Sequence, residues 1–323
     1  MRQLAASLLA LVTAGAQEDQ TCVETLNLGV RRYHLWRPKV HGVCGSAKVV
    51  VVLIHGFGGT PLRAWGRTAQ LIQERGWAAA APYGYHKSWN GGACCGDAAR
   101  LELDDVGFLQ SLAEDVRGRV GAQSVVGMGF SNGGYMVSKA SHVFDAISPW
   151  GGHTTHLNTS RPTPITMHHG LRDSVVKPMG CCKNAGCCCA IDARSDACVA
   201  FFGVFERWLR VNRCAGSRTV ESEHATCRAG VGCRANTSAC LHTRMAHAFN
   251  DLARPGSDDM RGPSAVDVLD FFARVPVRRG HHRHHRHRQR GLHVGPPPLD
   301  RPRDMRIAAP TRRGGFFVGA PPP

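Results

Sequence analysis

Residues 48–54 read KVVVVLI, and no other stretch limits the fold of this chain so strongly. Successive side chains of a β-strand point to opposite faces. A run that is apolar at every position therefore needs cover on both faces, which is the situation of a central strand in a parallel sheet layered between helices. The rest of 17–277 follows the same plan. A helix is expected around 67–75, stopped by Gly76, and a strand at 78–82. A helix over 104–116 puts Val106, Leu109, Leu112 and Val116 on one face, with Asp104 or Asp105 to cap its start. Strands are expected at 123–128, 146–148 and 164–168, and late helices at 199–209 and 264–274. The alternation predicts an α/β, doubly wound, mostly parallel sheet in one domain. With 43% apolar and 20% charged residues, collagen, a coiled coil and disorder throughout are excluded. No internal repeat is present.

The two ends read differently. Residues 1–16 have the form of a signal peptide: Arg2, an apolar run over 4–13, then Ala14-Gly15-Ala16 as a cleavage site. No later stretch is apolar for the eighteen or so residues that a membrane helix needs. The chain is expected to be secreted, extracellular and soluble, without a membrane or a specific nucleic acid as partner. All 14 cysteines follow the leader, and an even number in an oxidising compartment favours disulfides. The rival, a zinc cluster, lacks any C-x-x-C pair. The vicinal Cys94-Cys95, Cys181-Cys182 and the run Cys187-Cys188-Cys189 are expected to bond distant partners. Ten of the 14 fall in 181–240, expected to form a stapled insertion around one helix. Of the net charge of +16, the segment 278–323 supplies +9 through 11 Arg and 2 Asp. Its HHRHHRHR run and proline triplets predict disorder. Such a tail suits polyanion binding or weak metal capture by His281, His282, His284, His285 and His287, or serves only as a solvated appendage. Two sequons, at Asn158 and Asn236, accord with secretion.

Chemistry concentrates at Gly129-Phe130-Ser131-Asn132-Gly133, a G-x-S-x-G pentapeptide with an apolar strand before it and a helix-forming stretch after it. Small residues at its ends permit the sharp turn that exposes a serine hydroxyl. A serine nucleophile needs a base, and the base an orienting carboxylate, following in the order Ser, Asp, His. Asp173, in the loop after the strand at 164–168, is the choice for the acid ahead of Asp192 and Asp196. His247 is the choice for the base, with His224 and His242 as alternatives; His168 and His169 precede Asp173 and break the order. Two backbone donors must meet the oxyanion. Asn132 offers one, and Phe57, in the glycine-rich HGFGG at 55–59, the other.

These residues resemble a known family, the secreted polyhydroxybutyrate depolymerase-like and feruloyl esterase-like proteins of the α/β-hydrolase fold. The resemblance runs over about 32–274. It is carried by YHLWRP at 33–38, HGFGG at 55–59, SWNGGACCG at 88–96, DDVGF at 104–108, GFSNGGYM at 129–136, HGLRDSVV at 169–176 and AHAF at 246–249. It implies Ser131, Asp173 and His247 as a catalytic triad, with Trp89 and Asn90 lining the substrate side, where an aromatic beside an amide suits an aryl acid or a sugar face; a serine mechanism needs no cofactor. Two positions depart from it: Phe249-Asn250 stands where the family has Trp-Pro, and Ala246 where it has glycine. The expected activity is a serine carboxylic-ester hydrolase acting on feruloyl or acetyl esters of polysaccharide. The alternatives are a polyhydroxyalkanoate depolymerase and a hydrolase fold that binds carbohydrate or polyanion without turnover.

Overall fold

The run at 48–54 forms a strand whose alternate residues enter two separate cores. Val50, Val52 and Ile54 join one, and Val51 and Leu53 the other, all five fully buried. Burying each such side chain stabilises the fold by about 1.5–3 kcal/mol, so the strand is held from both sides. The computed structural model describes residues 22–92, 95–154, 156–157, 159–180, 199–249 and 265–276. In chain order these form β1 (Val23–Leu28), β2 (Arg31–Trp36), β3 (Lys39–Val40), β4 (Val43–Cys44), β5 (Val49–Ile54), α1 (Pro61–Glu74), β6 (Ala78–Pro82), α2 (Asp97–Arg100), α3 (Asp105–Val120), β7 (Ser124–Phe130), α4 (Asn132–Lys139), β8 (Ile147–Trp150), β9 (Ile165–Gly170), α5 (Phe201–Val211), β10 (Gly216–Glu221), β11 (Ala225–Val231), β12 (Thr237–His242) and α6 (Ala265–Ala273).

Ten strands make one sheet in the order β1-β2-β6-β5-β7-β8-β9-β12-β11-β10. The inner six, β6 to β12, pair in parallel. Antiparallel strands close both edges, β1 and β2 on one side, β11 and β10 on the other. One face is covered by α3 and α5 through Leu109, Leu112, Val116, Phe201, Phe205 and Trp208. The opposite face is covered by α1 and α6 through Trp65, Ala69, Ile72, Leu269 and Phe272. Asp104 caps α3, its carboxylate accepting the Gly107 N–H at 2.9 Å, and Gly121 ends the helix at φ +68°.

Several expectations need correction. Helix α1 begins at Pro61, not near residue 67, because proline fits the first turn, where no N–H donor is needed. The strands β1, β2 and β10 to β12 were not expected; β1 and β10 are half-buried or exposed, while the mostly buried β2 and β12 enter the sheet against β6 and β9, strands distant in the chain. The cysteine-rich stretch is only partly set apart: its described residues supply α5 to the core and three strands to the main sheet. Disulfides join Cys22 to Cys44, Cys214 to Cys233, and Cys227 to Cys240 across β11 and β12. The leader, the tail from residue 278, Cys94, Cys181, Cys182, Cys187, Cys188, Cys189, Asp192, Asp196 and the Asn158 sequon position lie outside the described residues.

Candidate active site

The elbow sits between β7 and α4, at the carboxyl end of the sheet's centre. Ser131 has φ +54° and ψ −120°, a conformation a non-glycine residue adopts only under constraint, at a cost of about 1–3 kcal/mol. Its N–H donates to the Trp150 carbonyl at 2.8 Å, while its own carbonyl accepts from Gly134 and Tyr135 to start α4. Glycine is required on either side. A Cβ at Gly129 would strike the Gly133 carbonyl, and one at Gly133 the Ile54 carbonyl. The turn can therefore press against β5 and lift the serine hydroxyl out of the strand.

Asp173 and His247 come to this hydroxyl from loops distant in sequence. The Arg172 N–H donates to the Met245 carbonyl at 3.0 Å, docking the histidine loop on the aspartate loop. His247 Nδ1 is 2.7 Å from Asp173 Oδ2, and its Nε2 is 2.9 Å from Ser131 Oγ. The other carboxylate oxygen, Oδ1, accepts the N–H groups of Val175 and Val176 at 2.9 and 2.8 Å. Burial pushes the Asp173 carboxyl up, but hydrogen bonds from His169, His247 and the Val176 N–H outweigh it and hold the pKa below the ordinary carboxylate range. An ionised Asp173 fixes the proton of His247 on Nδ1, leaving Nε2 to accept from the serine.

The 55–59 loop is clamped beside the elbow. His55 Nδ1 donates to the Gly56 carbonyl at 2.8 Å, and its Nε2 accepts the Gly84 N–H at 3.0 Å. Burial lowers the His55 pKa, which keeps it in this neutral form. Gly58 N–H donates to Lys87 and Gly59 N–H to Gly56. A Cβ built on Gly56 would lie 3.3 Å from that of Ser131, so the loop backbone runs against the serine. Asn132 opens α4 directly after it.

Trp89 and Asn90 do not line the site. Trp89 is completely buried: its Nε1–H donates to the His55 carbonyl at 3.0 Å, and the Arg31 guanidinium lies over its ring. Its backbone N–H and carbonyl bracket the Asn132 side-chain amide at 2.7 and 3.0 Å. Asn90 donates from its side chain to the Leu103 carbonyl, and its backbone is held by Asp105 and Lys139. A flat apolar ring with one polar atom gains more by burial against the core than by facing solvent, so the pair positions the loop and the elbow.

Sequence reasoning passed over three groups. His169 was set aside as a base by chain order, yet its Nε2 stands 3.3 Å from Asp173 Oδ2 and 2.7 Å from the Val176 carbonyl, both side chains fully buried. The ring of His153, whose pKa burial and the His169 ring push down to about 3, packs 4.9 Å away from it. The signal available was the position of His169 four residues before Asp173. Phe249, noted only as a departure, packs on Trp65 and Trp150 at ring distances of 4.5 and 4.7 Å. It helps wall a cavity of about 410 Å³ together with the 55–59 loop, Arg63, Trp65 and Phe130. Elsewhere, His168, Cys240 and His242 bring three metal-type side chains together, but the Cys240 sulfur is bonded to Cys227 and so offers no thiolate.

A parallel sheet with helices on both faces and a strained serine turn at its carboxyl end defines an α/β-hydrolase fold. No protein-family model and no curated protein matches the chain. Among solved structures, the acetyl xylan esterase from Aspergillus awamori is similar with a TM-score of 0.50, at 12% identity, over 74% of this chain and 97% of that one. Thermogutta terrifontis esterase 2 phosphorylated by paraoxon is similar with a TM-score of 0.47, at 15% identity, over 78% and 93%. At such identities the likeness is one of fold.

Proposed function

We propose that the chain is a secreted serine carboxylic-ester hydrolase in which Ser131, His247 and Asp173 form the catalytic triad. The observation that carries the reading is the unbroken run of hydrogen bonds from Ser131 Oγ through the His247 ring to an ionised Asp173. Ser131 Oγ attacks the ester carbonyl as His247 Nε2 takes its proton. The oxyanion is met by the N–H groups of Asn132, at the positive end of α4, and Phe57. Collapse breaks the ester C–O bond, and the proton on Nε2 passes to the leaving alcohol. Water, deprotonated by the same nitrogen, then splits the acyl-serine and returns the carboxylic acid. Asp173 keeps Nδ1 protonated throughout and stabilises the imidazolium.

The motif resemblance favours feruloyl or acetyl esters on polysaccharide, and the leader with the disulfides supports an extracellular site of action. Fluorophosphonate labelling with peptide mapping tests the nucleophile. The expected result is one adduct, on Ser131, absent from Ser131→Ala; a folded protein that takes no label refutes the reading. Release of hydroxycinnamic acid from a feruloylated sugar, with no 3-hydroxybutyrate from polyester film, separates the favoured substrate from the polyhydroxyalkanoate alternative.

A further inference from the structure

The cavity beside Ser131 has a chemical character of its own. Gly56 and Phe130, on its wall, both adjoin the serine, and the Phe130 ring lies 5.0 Å from that of His247. A group seated in the cavity therefore lies beside the serine and histidine. Its walls are aromatic. Trp65 and Phe249 meet edge to face, Phe130 adjoins Phe249 at 6.3 Å, and Phe57 stands 59% exposed at the mouth. An exposed phenyl group beside an apolar cavity gains from a flat apolar ligand laid against it.

Among the described residues Arg63 is the one charged residue on its wall, and no carboxylate pairs with it. It belongs to the first turn of α1, which has no acidic residue and no side-chain cap from Thr60, so the positive end of the helix is left uncompensated there. Among the described residues no Asp or Glu lines the cavity.

We propose that this cavity selects esters whose non-reacting part is flat and apolar, laid against the aromatic walls, and carries a carboxylate paired with Arg63. The proposal rests on the serine-esterase reading above and names the substrate class of that site. It fits an ester of a hydroxybenzoate, where the acid lies on the alcohol, and equally a half-ester of an aromatic dicarboxylic acid, where it lies on the acyl group.

Two matched pairs of substrates test it: phenyl hydrogen terephthalate against phenyl benzoate, and 4-acetoxybenzoate against 4-acetoxybenzamide. The readout is the ratio of kcat/KM within each pair, which cancels any general loss in a variant. The wild-type protein should favour the anionic member of at least one pair by about fivefold, and the pair that responds tells which side of the ester occupies the cavity. Arg63→Gln should abolish the preference, and Arg63→Glu should reverse it, with the change mainly in KM. Added salt should shrink it in the wild-type protein. Equal rates within both pairs, or a preference that survives Arg63→Glu, would overturn the proposal while leaving the esterase intact. Inactivity on all four esters, with no fluorophosphonate adduct, would overturn both readings.

Discussion

Strands β5 and β10 belong to one sheet and are held in it by opposite means. β5 is buried along almost its whole length, whereas every residue of β10 is exposed. Hydrophobic cover on two faces fixes β5, and the elbow, the 55–59 loop and the α4 start all press on its carboxyl end. At the far edge no such cover exists. There, disulfides from Cys214 to Cys233 and from Cys227 to Cys240 tie the neighbouring segments. The contrast teaches that the proposed chemistry sits where packing leaves no slack, and the cross-links sit where packing is thin.

The largest effect should come from the centre. Ser131→Ala should lower kcat for short aryl esters by about 10⁴–10⁶-fold, with an unchanged thermal unfolding curve; comparable rates would break the link between the elbow and catalysis. Asp173→Asn, which keeps the shape but lets His247 adopt the wrong tautomer, should cost about 10³–10⁴-fold in kcat, read by steady-state kinetics. At the edge the sign of the comparison reverses. Cys227→Ser with Cys240→Ser should lose about 2–4 kcal/mol of stability in denaturant unfolding while kcat/KM on aryl esters stays within about twofold. A large loss of activity would show that the edge also shapes the site.

A further prediction concerns acid stability, at and beside the seam between centre and edge. Burial lowers the pKa of His153 to about 3 and of His242, on β12, to about 4, and pushes His168, on β9, well down. Each is neutral when folded and takes up a proton near pH 6.5 when unfolded. Between those values the unfolded state binds more protons, so stability should fall as pH drops from about 6.5 toward 4, by up to about 1.4 kcal/mol per pH unit per group. Unfolding midpoints measured across that range check it; a flat profile would mean that these rings are solvated.

Much of the centre is legible residue by residue. The KVVVVLI run, the glycines around Ser131 and the Asp104 cap act locally, through backbone sterics and side-chain alternation over a few positions, and the structure realises each of them. Of the histidines considered, His247 is the one that meets both Ser131 and Asp173. The edges were not legible, since a strand such as β1 is polar and pairs only because β2 lies beside it. Trp89 was misplaced for a related reason: an aromatic in a loop reads the same whether it faces a ligand or the core.

The sequence by itself determined a parallel sheet with a sharp serine turn, because periodicity and glycine placement are written in adjacent residues. Only the tertiary structure decided that Trp89 braces Asn132, that His169 backs Asp173, and that Arg63, Trp65 and Phe249 surround one cavity. Those contacts join residues from 4 to nearly 190 positions apart, and no local pattern encodes which distant side chain will fill a given space.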